Sequence, residues 1–254
     1  MLRTIICMLA VILYLIVFIP MLGILWLIGR KYPRFSDIVS LRMVQGIFKI
    51  ILFLAGTKLT VIGRENIPEH EAVLYICNHN SIFDTVINYS LFPDVTGIVA
   101  KIEMARVPLL SIWMRRLHCL FLDRANLRQG VATINEATEN VKAGISMCIF
   151  PEGTFSQGES ELEMLPFHEG SFNVARRSGC KIVPIAITGS AEIFEKNYPH
   201  VKRRQVTVEY GEAIIPAELG KEERKRLGAY TREKIYEMLL DHKEYRSTGE
   251  IMAV

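Results

Sequence analysis

The chain opens on an apolar block and then changes rhythm. Residues 4–29 are 26 positions without a charge. About 20 apolar residues suffice to cross a hydrocarbon core. The run is longer than the apolar core of a secretory signal and lacks a small-residue cleavage site, so it is expected to be retained. Pro20 lies inside it and is expected to kink or break the helix. A second apolar stretch, residues 44–56, has 13 positions and one charge, Lys49. That is too short to span and suits an interfacial or core helix. Two geometries follow: one span with a surface helix behind it, or a helical hairpin dipping into one leaflet.

Beyond Gly56, short β-rich runs recur at 58–62, 72–77, 96–100, 119–122, 147–150, 182–188 and 205–210. Several are continuously apolar, as strands covered on both faces are. Helical patterns lie between them. The clearest, 127–141, puts Leu127, Val131, Ile134, Ala137 and Val141 on one stripe. Residues 106–117 and 219–240 are further helix candidates, the last so charged that it reads as a solvated helix. This alternation predicts an α/β fold, a central mostly apolar sheet flanked by helices. It occupies residues 57–254, behind a membrane-anchoring helical segment at 1–56.

Composition narrows the function. Half of the 254 residues are hydrophobic, and the mean hydropathy of +0.23 owes its excess to the N-terminus. A net charge of +3 with no Lys/Arg-rich block excludes nucleic acid as the expected partner. Five cysteines, an odd number with no CxxC, read as buried small hydrophobes in a reducing compartment. No disulfide framework and no metal site is expected. Arg3 precedes the apolar block, whereas Arg30, Lys31 and Arg34 follow it. That asymmetry places the catalytic domain on the cytoplasmic side of the cell membrane, with Trp26 and Tyr32 as interfacial aromatics.

The strand at 72–77 is followed by NHNSIFD, which sets His79 and Asp84 five residues apart. Within one regular helix that spacing turns the side chains about 140° apart. They meet if His79 sits in the loop and Asp84 one turn into the helix, and Asn80 and Ser81 are good N-cap residues for such a junction. Asp84 can then fix the imidazole tautomer and leave the second nitrogen free to take a proton, a role worth about 10²–10⁴ in rate. The pair alone is a weak motif, since a capping histidine at a strand exit explains it equally well.

Three more blocks follow in order. CLFLDR at 119–124 ends a buried strand in Asp123 and Arg124, and arginine's planar fork suits phosphate or carboxylate. FPEGT at 150–154 is a tight turn whose N–H groups can face an anion. In it, Glu152 can bond an acceptor hydroxyl or hold Arg124. IVPIAI at 182–187 puts a proline in an apolar strand, which suggests an edge or bulge.

Together these blocks resemble the glycerolipid acyltransferase family, in particular its bacterial 1-acylglycerol-3-phosphate members. The resemblance runs from about residue 59 to 210. It includes NHxSxxD at 78–84, Ala100–Lys101, the FLDR, FPEGT and VPI blocks, and LPFHEGSF at 165–172. It implies that His79 is a general base partnered by Asp84, acting on the sn-2 hydroxyl of a lysophospholipid. The hydroxyl attacks an acyl thioester of coenzyme A or acyl carrier protein. Neither a metal nor another cofactor is implied. Arg124 and Lys101 would hold the lipid phosphate, with Asn80, Ser81, Glu152, Gly153 and Thr154 lining the acceptor site. One departure stands out: the family pattern continues FPEGT with arginine, and here position 155 is Phe. Either Arg124, Lys101 or another cation then carries the phosphate alone, or the head group differs, or the chain is an inactive binding protein of the same fold; a water-using thioesterase is a separate alternative. A serine-nucleophile hydrolase is disfavoured, because no GxSxG elbow occurs.

Overall fold

The computed structural model describes residues 1–156 and 158–248. Seven strands form one sheet: β1 (Lys58–Ile62), β2 (Leu74–Cys77), β3 (Thr96–Lys101), β4 (Leu120–Leu122), β5 (Ser146–Ile149), β6 (Ile182–Thr188) and β7 (Gln205–Tyr210). Their order is β1-β7-β6-β2-β5-β3-β4. From β6 through β4 all neighbours pair in parallel, while β7 runs antiparallel to β6 and parallel to β1. The seven β-rich runs of the sequence are these seven strands. Every residue of β2, β5 and β6 is buried, which is why they read as unbroken apolar runs.

Nine helices surround the sheet among the described residues: α1 (Leu2–Val17), α2 (Ile19–Gly29), α3 (Pro33–Ala55), α4 (Ile82–Leu91), α5 (Leu110–Arg116), α6 (Leu127–Lys142), α7 (Asn173–Ser178), α8 (Lys221–Lys225) and α9 (Leu227–Thr248). One face of the sheet (Tyr75, Cys77, Cys148, Ile185) packs against α3, α4 and α5, and the same cluster runs outward into α1 and α2. The other face (Leu74, Ile76, Met147, Ile149) packs against α6, α7 and α9.

One helical expectation holds and four change. The apolar block breaks at Phe18 into α1 and α2, bent by 51°, with Pro20 in the first turn of α2. Residues 44–56 are the second half of a 23-residue helix, α3, which is long enough to span. Its buried face includes Ser36, Ser40 and Gln45, polar members that hide the periodicity of the first half. The helix expected at 106–117 starts only at Leu110, because Pro108 denies a backbone donor and Leu109 takes a positive φ of 61°. The 219–240 candidate is two helices, and α9 is no solvated helix. Leu227, Thr231, Ile235, Leu239 and His242 form a buried stripe along it. On α6 the expected stripe packs only from Ile134 onward; Leu127 and Val131 are exposed.

Candidate active site

The parallel strands deliver the singled-out residues to one edge. Asn78–His79 leaves β2, Phe150–Pro151 leaves β5, Lys101 ends β3 and Asp123–Arg124 leaves β4, all at the carboxyl edge of the sheet. In open α/β sheets ligands are received at that edge.

The loop after β2 enters α4 through Ser81. Its hydroxyl accepts the Phe83 N–H at 3.0 Å, and Asp84 returns the bond as the third helical residue, completing a capping box. One oxygen of Asp84 takes three donors: the N–H of Asn80 and of Ser81, each at 2.8 Å, and His79 Nδ1 at 3.1 Å. The carboxylate that caps the helix is therefore the one that orients the imidazole. Asp84 is almost fully buried, and the His79 side chain keeps 13% of its exposure. Because Nδ1 faces the carboxylate, that nitrogen carries the proton, and Nε2 is the acceptor edge. Nε2 has no hydrogen-bond partner among the described residues.

The turn after β5 lies against this loop because β5 pairs directly with β2. Phe150 stacks on the imidazole, ring centroids 3.9 Å apart and planes 17° apart. Buried Glu152 accepts the His79 N–H at 2.8 Å through one oxygen and the Leu165 N–H at 2.8 Å through the other. Glu152 therefore does not hold Arg124, as one reading of the sequence allowed; it pins the backbone of the base and the 165–172 segment to one point. Burial pushes its carboxyl above the usual range, against the lowering effect of those two N–H bonds. Gly153 takes a φ of 76°, a conformation that favours glycine, and a Cβ there would sit tightly, 3.2 Å from His168 Nε2. Thr154 is exposed beside it.

The expected phosphate ligands lie farther out. Lys101 is two strand spacings from β2, roughly 10 Å at the backbone, and Arg124 three, roughly 14 Å. The Lys101 ammonium pairs with Glu103 at 3.3 Å. Arg124 is exposed and has no ion pair among the described residues. No group of three His, Cys, Asp or Glu side chains converges as metal ligands would among the described residues.

One site residue gives no signal in the sequence. Glu195, from the loop after β6, accepts the Ser81 hydroxyl at 2.5 Å and the Ile82 N–H at 2.8 Å. It closes the remaining donors at the start of α4 and ties the histidine loop to β6 from the side opposite β5. A glutamate 114 residues from Ser81 in the chain, at the start of a single 3₁₀ turn, belongs to no local pattern. It also lines a cleft of about 280 Å³ with Asn80, Phe155, Ser156 and Lys196.

Comparison with known proteins places this arrangement. A family model described as "Acyltransferase" matches residues 58–188. The chain is 29% identical over 191 residues to a probable 1-acyl-sn-glycerol-3-phosphate acyltransferase of Mycoplasma pneumoniae, covering 72% of this chain and 70% of that one. It is 29% identical to the 1-acyl-sn-glycerol-3-phosphate acyltransferase of Saccharomyces cerevisiae, covering 85% and 68%. The crystal structure of the 1-acyl-sn-glycerophosphate acyltransferase PlsC from Thermotoga maritima shares the fold, with a TM-score of 0.80 over 95% of both chains at 23% identity. The family model spans more than half of the 254 residues, from β1 through β6, and on that ground the chain belongs to the acyltransferase family.

Proposed function

We propose that this protein transfers a fatty acyl group from a thioester carrier to the sn-2 hydroxyl of 1-acylglycerol 3-phosphate, giving phosphatidic acid. The observation that carries the reading is the His79–Asp84 contact of 3.1 Å, with Nε2 left free at the carboxyl edge of the sheet. The curated relatives named for this activity support the choice of acceptor. In the reaction, Nε2 takes the proton of the acceptor hydroxyl as its oxygen attacks the thioester carbonyl. The tetrahedral intermediate collapses and expels the thiolate of coenzyme A or acyl carrier protein, which recovers the proton from the imidazolium. Asp84 stabilises that imidazolium. The Gly153 N–H is spent on the Phe150 carbonyl at 3.1 Å, which leaves the Thr154 N–H of the turn as the donor suited to a developing oxyanion. Arg124, with Lys101, meets the phosphate. The fold needs no covalent acyl-enzyme for this route.

The site's setting fits a bilayer substrate. Leu9, Leu13, Trp26, Phe35 and Phe53 on α1 to α3 are all more than half exposed, an apolar surface suited to the acyl region of a membrane. Of the two membrane geometries, shallow insertion into one leaflet is the better supported. The Thr4 hydroxyl at the start of α1 donates to the Pro199 carbonyl and accepts the Val201 N–H, and the Leu25 carbonyl of α2 accepts from Arg116, so both arms of the bent α1–α2 pair are held against the catalytic domain, as a hairpin in one leaflet requires. Arg30, Lys31 and Arg34 at the α2–α3 junction favour the cytoplasmic face.

The test is thiol release from acyl-CoA and acyl carrier protein with a panel of acceptors. His79→Ala is expected to cut lysophosphatidate-dependent release to a residual rate, about 10²–10⁴ lower, while the fold is kept. A variant with near-normal turnover, or a wild-type preference for a zwitterionic lysolipid, overturns the assignment.

A further inference from the structure

Phe155 stands where the family pattern carries arginine, and its ring is not idle. Its centroid lies 4.4 Å from that of the His79 imidazole, with the planes inclined by 68°. Phe150 already covers one face of the imidazole in a near-parallel stack. Phe155 is the second aromatic contact, edge to face. It cannot drift, because the chain on either side of it is tied to the histidine: Glu152 accepts the His79 N–H at 2.8 Å, and the Ser156 N–H donates to the His79 carbonyl at 2.8 Å.

We propose that Phe155 is a positioning residue for the general base, an aromatic stop that fixes the tilt of the His79 imidazole. This rests on the reading of His79 as the base. Asp84 restrains Nδ1, Phe150 restrains one face, and Phe155 removes the remaining freedom to swing about the Asp84 contact. The neutral ring also leaves the imidazolium formed during proton transfer unopposed. A guanidinium at the same distance would oppose that charge. The substitution thus exchanges a cation suited to the acceptor for a group that serves the base. Phosphate binding is left to cations farther along the edge.

Phe155 is 38% exposed, so truncating it opens little core, and thermal stability serves as the control. Phe155→Leu is expected to lower kcat about tenfold while the acceptor KM stays within about twofold, since a tilted base costs rate and not binding. Phe155→Tyr restores most of the loss. In a His79→Ala background, Phe155→Leu leaves the residual rate unchanged. A raised KM with kcat retained would make the ring a substrate contact and overturn the proposal. The same loss in the His79→Ala background, or no rescue by tyrosine, overturns it equally. If His79→Ala retains wild-type activity, the base assignment fails as well. If His79→Ala falls to its residual rate and Phe155→Leu is indistinguishable from wild type, only the proposal for Phe155 fails.

Discussion

Asp84→Asn separates the two jobs that one carboxylate performs. Its Oδ2 caps α4 through two backbone N–H groups and receives His79 Nδ1 at 3.1 Å. A carboxylate and an imidazolium at that distance attract by about 5 kcal/mol at an effective dielectric constant near 20. An amide oxygen in the same place keeps the hydrogen bond, about 1 kcal/mol. Roughly 4 kcal/mol of transition-state stabilisation is lost, which corresponds to about 10³ in kcat. The helix cap survives, so Asp84→Asn is expected to lose only about 1 kcal/mol of stability. Asp84→Ala also leaves the N–H groups of Asn80 and Ser81 without a partner, in a loop where both residues are buried, at a cost of about 3 kcal/mol. Thiol release gives the rates, and thermal or denaturant unfolding gives the stabilities. If Asp84→Asn keeps kcat within about tenfold of wild type, the carboxylate charge does not act on the base. If Asp84→Ala is as stable as Asp84→Asn, the cap is not what the carboxylate supplies.

Arg124→Ala is expected to raise the KM for a phosphate-bearing acceptor about tenfold with little change in kcat, because its backbone leaves the sheet three strands from that of the base; an unchanged KM moves the phosphate site elsewhere. Glu195→Gln turns an amide nitrogen toward one of the two donors at Ser81 and Ile82. It should cost about 1 kcal/mol and slow turnover several-fold, and unaltered kinetics would show that the histidine loop holds its shape without that tie. Glu152 gives a signed pH test. Burial raises its folded-state pKa above the ordinary 4.5, so the native state holds the proton more tightly than the unfolded chain. Its ionisation therefore costs stability as pH climbs through the interval just above 4.5, and the cost is absent below it. Wild type should lose stability relative to Glu152→Gln across that interval in paired thermal melts, and parallel curves would contradict the shift.

The strands were legible because seven separate apolar runs can hardly be anything else between helical patterns, and β1, β6 and β7 fall on the expected residues. Helices whose buried faces contain polar residues were not. Thr231 and His242 sit in the buried stripe of α9, and Ser36, Ser40 and Gln45 in that of α3. Each breaks a hydrophobic period while remaining inside, because a neighbour satisfies it: Thr231 bonds the Leu227 carbonyl, and Arg116 reaches Ser36 and Ser40. The site divided along the same line. His79 and Asp84 sit across one loop–helix junction, so their spacing carried the geometry. Glu152 was visible as a carboxylate at a strand exit, but its partners are backbone N–H groups, which no side-chain pattern reveals. Glu195 acts entirely through tertiary contact. Phe155 read as the loss of a cation, whereas its gain depends on the position of a ring.

The polar residues on α3 also explain why the apolar helices α1 to α3 are not a detachable unit. Gln45 ties α3 to the far end of α4, and α4 begins with the Ser81–Asp84 box that sets His79. The guanidinium of Arg116, from the end of α5, reaches the Leu25 carbonyl of α2 and the Ser36 hydroxyl of α3. One helix thus has its last turn fixed to the apolar surface and its first turn fixed to the base. On the proposed insertion in one leaflet, ten residues of rigid helix, about 15 Å, join the α3 contact to the imidazole loop in place of a flexible linker. A lysolipid can then present its hydroxyl while its acyl chain stays in the leaflet. Withdrawing that chain into water would cost about 0.8 kcal/mol per CH₂, and an anchor that let the site drift from the surface would incur part of that cost at every turnover.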